Sequence, residues 1–522
     1  MEGKFDRRKK IQKNTPTVSI KVIEVILTNQ PYPMTQKELE KYLWGAATQL
    51  RGTIDAGDYK QYIFPLLFFK RICDVWDEEY QQAVTDSGGD EDYLALVQKN
   101  FHFQVPPNAH WNQVRETTIH VGMALQDAMH AIEAANPATL YGIFGDASWT
   151  NKNRLSDETL LNLIEHYSKH QLNMSNISDD KLGNAYEYLI KEFADDSGHT
   201  AAEFYTNRTV VKLMTMIMDP KPGESVYDPT CGSGGLLLNC ALHLKEEGKE
   251  YRTLKLYGQE INLITSAIAR MNMFMHGIEE FSIVRGDTLA NPAFLENDRL
   301  KKFNVILANP PYSIKAWDQA SFANDPYGRN IWGVPPQGCA DYAFEQHIQQ
   351  SLNIENGRSI SLWPHGILFR NAEAEMRKNM ILEDSVECVI GLGPNLFYNS
   401  PMEACLLITK TKKEASKKGK ILFINAVKEV RQEKTMGFLT DQHIKKIFEA
   451  YQRFKSQKHF AALVDSKTVL SNDGNMNISL YVQPEKENQA EILPFEEVYK
   501  NWESSSKTLK TAMKKLFETI EK

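Results

Sequence analysis

At 522 residues the chain exceeds one ordinary domain of roughly 100–200 residues, and its 42% hydrophobic and 24% charged content is that of a folded globular protein. A net charge of −7 excludes a surface that grips nucleic acid everywhere through a basic footprint, so a local patch or a partner would have to supply that hold. No run of about 18 apolar residues occurs, so no transmembrane helix is expected.

The start of the chain lacks a signal-peptide core: Arg7-Arg8-Lys9-Lys10 leads into polar residues, and Val18–Leu27 is broken by Ser19, Lys21 and Glu24. A cytoplasmic protein is expected. The six cysteines (Cys73, Cys231, Cys240, Cys339, Cys388, Cys405) form no C-x-x-C pair, which argues against a disulfide framework or zinc knuckle.

Residues 1–35 read as a solvated N-terminal extension. Helical patterning begins at Met34, where Thr35 can cap and Glu38 follows at the capping-box spacing. From Asp58 to Ala83, Tyr62, Leu66, Phe69, Cys73 and Trp76 recur at spacings of four and three. Ile63, Leu67 and Phe68 widen that stripe, so the helix should be buried on most sides. Pro65 should kink it or mark its first turn. Another helix is predicted from about Arg115 to Ala135, and no strand alternation occurs before residue 200. Residues 36–165 therefore read as an α-helical domain. His166 and His170 are spaced to hold a metal on a helix, but no third ligand is evident; a solvated helix face is expected, and no metal.

Residues 166–484 read as a second domain. An amphipathic helix over Asp180–Ala194 and a helix over Thr209–Met218 flank Glu203-Phe204-Tyr205-Thr206-Asn207-Arg208. Apolar strands then alternate with helices, at Ser225–Tyr227, Leu254–Gly258, Phe281–Val284, Asn304–Ala308, Ile360–Trp363, Val386–Gly391 and Cys405–Thr409. This alternation predicts an α/β fold with a mostly parallel sheet and helices on both faces. Such sheets bind ligands at the carboxyl ends of their strands, where Asp228, Glu260, Asp287 and Asn309 fall. The Lys-rich stretch Lys410–Lys420 leads into a strand at Ile421–Ile424 and reads as a solvated hairpin loop. Residues 485–522 are a helical tail from Phe495. Its stripe of Leu509, Met513, Leu516 and Ile520 must pack on the chain's own body or on a partner helix.

Two blocks carry chemistry. Asp228-Pro229-Thr230-Cys231-Gly232-Ser233-Gly234-Gly235 is a strand-to-helix turn whose glycines allow tight bending and close ligand approach. The helix start offers N–H groups to an anion. Glu260, ending the next strand, can bind both ribose hydroxyls, and Asp287, after the third, can accept from an exocyclic amine. In this order the three describe a cradle for an adenosine-bearing cofactor.

Asn309-Pro310-Pro311-Tyr312 reads as a clamp for a planar amine. The Asn309 amide oxygen and a main-chain carbonyl near Pro310 can both accept from one NH2 group, while the prolines fix the backbone and donate nothing. Tyr312 offers a flat face for stacking on a base. An aromatic amine is a poor nucleophile because its lone pair is delocalised. Two acceptors favour a pyramidal nitrogen and aim that lone pair, so catalysis is positioning and electrostatics.

Asp228–Gly235 and Asn309–Tyr312 resemble motifs I and IV of the S-adenosylmethionine-dependent amino-methyltransferases of DNA, and Asn-Pro-Pro-Tyr is the form typical of N6-adenine methylation. Glu203–Arg208 resembles the further cofactor motif that precedes the glycine turn in the γ order, with Asn207 where a proline is expected. Leu43-Trp44 through Gly52, Asp58-Tyr59-Lys60, Leu67–Arg71, Gly183–Leu189, Leu396-Phe397-Tyr398 and Asn477-Ile478-Ser479 resemble the modification (M) subunit of type I restriction-modification systems.

The resemblance implies a Rossmann-like S-adenosylmethionine-dependent methyltransferase sheet preceded by an α-helical domain and followed by a helical tail. It implies cofactor contacts from Glu203, Phe204, Tyr205, Thr206, Asn207, Arg208, Asp228, Gly232, Ser233, Gly234, Gly235, Glu260 and Asp287. The target adenine would be flipped from double-stranded DNA, held by Asn309 and Pro310 and stacked by Tyr312. Phe397 is either its second stacking face or a core residue. Implied partners are a specificity (S) subunit, a restriction (R) subunit and a second M subunit.

Fewer than fifty residues separate Tyr312 from the strand at Ile360, too few for a sequence-reading domain, so another chain is expected to choose the target. The same clamp also occurs in methyltransferases of protein glutamine and of ribosomal RNA. The helical N-terminal domain and the motif at 203–208 argue against that substrate class. The intact clamp argues against a non-catalytic cofactor-binding assembly subunit.

Overall fold

The computed structural model describes residues 34–196, 206–396, 402–433, 436–483 and 495–520. Helix α1 (Gln36–Gln49) starts on the predicted capping box, with the Glu38 carboxylate accepting from the Thr35 N–H at 2.8 Å. Helix α2 (Lys60–Ser87) buries an unbroken run from Tyr62 to Val75 and carries Pro65 near its start without ending there.

The single helix expected from Arg115 to Ala135 is instead a short turn at Trp111–Arg115 and then α3 (Val121–Ala135). His120 between them has φ +58°, and the Asp157 carboxylate accepts from the His120 and Val121 N–H groups at 3.2 and 3.1 Å. This helix start is satisfied by a side chain distant in sequence, so local periodicity could not reveal the break. Asp157 opens α4 (Asp157–Tyr167). His166 on that helix is buried rather than solvated. Its Nε2 lies 2.8 Å from the Tyr42 carbonyl, its ring stacks on Tyr42 at 4.9 Å, and burial lowers its pKa.

The chain divides into two compact units, residues 1–215 with 219–311, and 216–218 with 312–522. Within the first, the N-terminal helices and those that follow share one core. Helix α5 (Asp179–Asp196) brings Tyr186 within 4.6 Å of Phe64 and Phe193 within 5.4 Å of Trp44, ring to ring. Helix α6 (Arg208–Met218) precedes β1 (Ser225–Asp228), α7 (Gly235–Glu246), β2 (Lys255–Glu260), α8 (Leu263–Met275), β3 (Phe281–Arg285) and β4 (Val305–Ala308). These strands run parallel in the order β4-β1-β2-β3. Every residue of β4 is buried, as expected of a parallel strand covered on both faces.

The second unit holds α9 (Asp341–Ser351), β5 (Arg358–Pro364), α10 (Ala374–Leu382), β6 (Val386–Leu392), β7 (Ala404–Lys410), β8 (Lys420–Ala426) and β9 (Ala461–Asp465). Its strands are mixed in direction: β7 is antiparallel to both β5 and β6, and β8 is parallel to β6. No described helix lies between β6 and β7 or between β7 and β8, so the long crossover that parallel neighbours require is missing there.

The expected hairpin at Lys410–Lys420 does not form, because β6 lies between β7 and β8. Lys412 and Lys418 are exposed, but three other lysines of the stretch are drawn in by carboxylates. Lys410 and Lys417 lie 3.0 and 3.7 Å from the fully buried Glu387 carboxylate of β6, and Lys413 lies 2.6 Å from Asp384. A carboxylate taken out of water requires such cations.

The tail forms α11 (Phe495–Ile520). Trp502, Leu509, Met513, Leu516 and Phe517 on it are exposed among the described residues. No described helix is long and apolar enough to cross a membrane.

Candidate active site

The carboxyl ends of β1, β2 and β4 bring the two sequence blocks together in the first unit. β1 ends in Asp228, which is 1% exposed and accepts from the Thr230 N–H at 3.0 Å. The turn that follows passes through Gly232 and Gly234, both at positive φ, and Gly234 caps α7. It is held from β2: the Gly232 N–H donates to Glu260 Oε2 at 3.0 Å, and the Cys231 N–H donates to the Gln259 carbonyl at 2.9 Å. Glu260 Oε1 accepts from the Asn262 N–H at 2.9 Å, so this carboxylate ties the glycine turn to the start of α8.

A network not foreseen from the sequence supports the same turn. Asn272 of α8 is fully buried and donates from Nδ2 both to the Ser233 carbonyl, at 3.0 Å, and to Glu187 Oε1, at 2.7 Å. Glu187 of α5 in turn pairs with Arg208 at the start of α6. Two signals were available. Asn272 interrupts the apolar run around Met271 and Met273, and Glu187 lies beside Tyr186 on a helix whose neighbouring face is core.

Asn207, where the family resemblance expects proline, has a structural role of its own. It is the N-cap of α6, and its Oδ1 accepts from the Thr209 N–H at 3.1 Å and from the Thr209 hydroxyl at 2.7 Å. Asparagine is among the preferred caps, so the departure still starts the helix here.

A cleft enclosing about 440 Å³, open solvent included, lies over the turn. Of the residues singled out from the sequence, Thr206, Arg208, Asp228, Gly232, Ser233, Gly235 and Asn309 line it. Glu187 and Asn239 join them. Gly234 and Glu260 are not among its lining residues. Asp287 does not line it; it is exposed and its Oδ1 accepts from the Leu289 and Ala290 N–H groups at 2.9 and 3.2 Å. Pro310 and Pro311 follow Asn309 without lining the cleft. Glu203, Phe204, Tyr205 and Phe397 lie outside the described residues.

The division between the units falls inside the clamp motif, after Pro311. In the second unit Tyr312 is half-buried, its ring 6.2 Å from that of Trp363, and burial pushes its phenol well up. The next residue, Ser313, donates its N–H to Asp341 Oδ1 at 2.7 Å, at the start of α9. Asp341 is itself paired with Arg370 at 2.5 Å, so the chain just past the motif is pinned to a buried ion pair.

Burial, with the nearby Glu260 charge, pushes the Asp228 carboxyl from 3.8 to about 8. Burial also raises Glu260. The sign follows from linkage. Folded Asp228 keeps its proton where the unfolded chain has lost it, so its contribution falls as pH rises from 3.8 to about 8. Glu345, buried in the second unit and raised to about 7, acts in the same direction. Buried His276 and His166, lowered from 6.5, act the other way below that value, so it is between pH 6.5 and about 8 that the ligand-free protein is expected to melt at lower temperature as pH rises. Asp228→Asn should flatten that slope without removing the part due to Glu345. Melting curves across that window check it; an unchanged slope would refute the assignment.

Residues 177–490 match the family described as N-6 DNA Methylase, and residues 39–167 match the HsdM N-terminal domain. The chain is 30% identical over 517 residues to the type I restriction enzyme MjaVIII methylase subunit of Methanocaldococcus jannaschii, covering 93% of this chain and 83% of that one. It is 30% identical over 427 residues to the HindI methylase subunit of Haemophilus influenzae, covering 76% and 94%. Among solved structures it is similar to a type I restriction-modification system methyltransferase subunit from Streptococcus thermophilus, with a TM-score of 0.76, 31% identity, and coverage of 86% of this chain and 100% of that one.

Proposed function

The chain belongs to the N-6 DNA methylase family, among the methylase subunits of type I restriction enzymes, and on that premise we propose that it methylates N6 of adenine in double-stranded DNA with S-adenosylmethionine as cofactor. The observation that carries the proposal is the position of Asn309: it follows β4 directly and lines the same cleft as the glycine turn after β1.

The cleft residues fit that cofactor. The Glu187–Arg208 pair offers both signs of charge on the cleft wall, the protonated Asp228 carboxyl can donate or accept a hydrogen bond, and the turn lets a ligand approach the backbone closely. Glu260 accepts from the Gly232, Ile261 and Asn262 N–H groups and keeps acceptor capacity beyond them, which suits ribose hydroxyls. When bound, S-adenosylmethionine supplies an electrophilic methyl group.

The chain's own residues prepare the amine. Asn309 Oδ1 and the Pro310 carbonyl accept its two N–H bonds and draw the nitrogen toward a pyramidal, nucleophilic geometry. Both acceptors are neutral, so no proton is removed early. Pro310 and Pro311 offer no competing N–H. Tyr312 presents its ring to the flipped base, and Phe397 is retained as a candidate for the opposite face.

Target choice is assigned to an S subunit, with an R subunit and a second M subunit completing the complex. The exposed stripe of α11 is the proposed dock for the S subunit. Removing residues 500–522 is expected to weaken co-purification with that subunit while leaving cofactor binding intact; an unchanged complex would sink the assignment. The reaction itself is tested by transfer of labelled methyl groups to DNA, with and without the S subunit, followed by nucleoside analysis. Label in N6-methyladenine supports the reading. Label in protein or RNA overturns it.

A further inference from the structure

An asparagine side chain serves as an acceptor clamp only if its oxygen, and not its nearly isosteric NH2, faces the amine. A flipped amide would set N–H against N–H. Something in the protein must therefore hold the Asn309 amide in one sense. The structure offers a partner on another element of the same unit: Asn309 Nδ2 donates to the Thr206 hydroxyl oxygen at 3.0 Å.

We propose that Thr206 is the positioning residue of the amine clamp, fixing the Asn309 amide so that Oδ1 faces the substrate NH2. The inference rests on the reading of Asn309 above and assigns Thr206 to the clamp rather than to the cofactor alone. Oδ1 and Nδ2 diverge from one carbon, so with Nδ2 donating to the Thr206 oxygen, Oδ1 is turned the other way. Both anchors are stiff. Thr206 immediately precedes Asn207, which is 5% exposed and locked as the N-cap of α6 by two hydrogen bonds to Thr209. Asn309 immediately follows the fully buried β4 and precedes Pro310, whose ring fixes its own φ. The hydroxyl is thus carried on a capped helix start, and the amide on a strand end. Thr206 and Asn309 also both line the cleft, so the segment before the glycine turn reaches the residue that activates the substrate.

The test uses the full chain in its transfer-competent complex with the S subunit and cognate DNA. Thr206→Val keeps the shape and removes the hydroxyl, Thr206→Ser keeps the hydroxyl, and Asn309→Ala removes the clamp. Equilibrium binding of S-adenosylmethionine and the single-turnover rate at saturating cofactor are measured separately. Thr206→Val is expected to slow the saturated rate about tenfold, the scale of one lost hydrogen bond, with cofactor affinity within about threefold of wild type. Thr206→Ser should restore the rate to within about threefold. Should Thr206→Val fail to assemble, Thr206→Ala carries the same expectation. A Thr206→Val protein with weakened cofactor binding and an intact saturated rate overturns the inference, and so does one with wild-type rate and affinity. If Asn309→Ala itself transfers normally, it is the underlying reading of the clamp that fails.

Discussion

Asn309→Ala is expected to slow methyl transfer to adenine by about 100-fold or more, the scale on which single preorganised hydrogen-bonding groups act in catalysis. The substrate nitrogen shares its lone pair with the ring, so the uncatalysed amine barely attacks. Two acceptors in fixed positions favour the pyramidal form, and alanine leaves only the Pro310 carbonyl. Asn309 is half-buried and lies directly after a strand whose every residue is buried, so truncating it should not disturb the sheet. Cofactor affinity should stay within about threefold, since an effect confined to the reacting centre lowers the saturated rate and not binding. Asn309→Asp should also fail. It would add a carboxylate to a cleft already holding Asp228 and Glu187, one of them buried enough to be pushed to about 8. Single-turnover rates with labelled cofactor check both variants; a normal rate for Asn309→Ala would remove the clamp from the mechanism.

Gly234→Val should cost cofactor binding rather than the chemical step. Gly234 has φ +81°, where an L-residue is disfavoured by about 1–2 kcal/mol. A Cβ there would also stand 2.9 Å from Met273 Cε and 3.5 Å from Ala269 Cβ, both on α8. The Met273 methyl ends a flexible side chain and can give way, so the backbone conformation carries most of the cost. The turn can relieve the strain only by shifting, and it is also held by Glu260 through Gly232 and by Asn272 through Ser233. Affinity for S-adenosylmethionine is expected to fall about 100-fold, corresponding to about 2.8 kcal/mol, together with a lower melting temperature. Gly235→Ala is the control. A Cβ at Gly235 meets nothing within 4 Å and its φ is not positive, so its melting temperature should match wild type. Equal loss of stability in both variants would show that the turn tolerates or rejects side chains for some other reason.

Much of the fold was legible because its signals are local. All eight strands read from apolar runs, from Ser225–Tyr227 through Ile421–Ile424, form within a few residues of the expected bounds. The Thr35–Glu38 capping box is present. What failed was set by distant partners. Asp157 caps the helix at Val121, Tyr42 covers His166, and Glu387 draws in Lys410 and Lys417. A pattern of hydrophobicity says which face is buried, but not which residue across the fold satisfies a donor or neutralises a charge.

At the site the same boundary holds. The sequence alone determined that a glycine turn follows one strand and an amine clamp follows another, because strand, turn and proline chemistry are written within a few consecutive residues. It also determined that Glu260 and Asn309 stand at strand ends, which follows from strand boundaries. Only the tertiary structure decided that Glu187 and Asn272 buttress the turn, that Asp287 caps its own loop outside the cleft, and that Thr206 meets Asn309 across 103 positions of chain. It also decided that Asp228 keeps its proton toward pH 8, since desolvation depends on everything packed around a carboxyl and not on its neighbours in sequence.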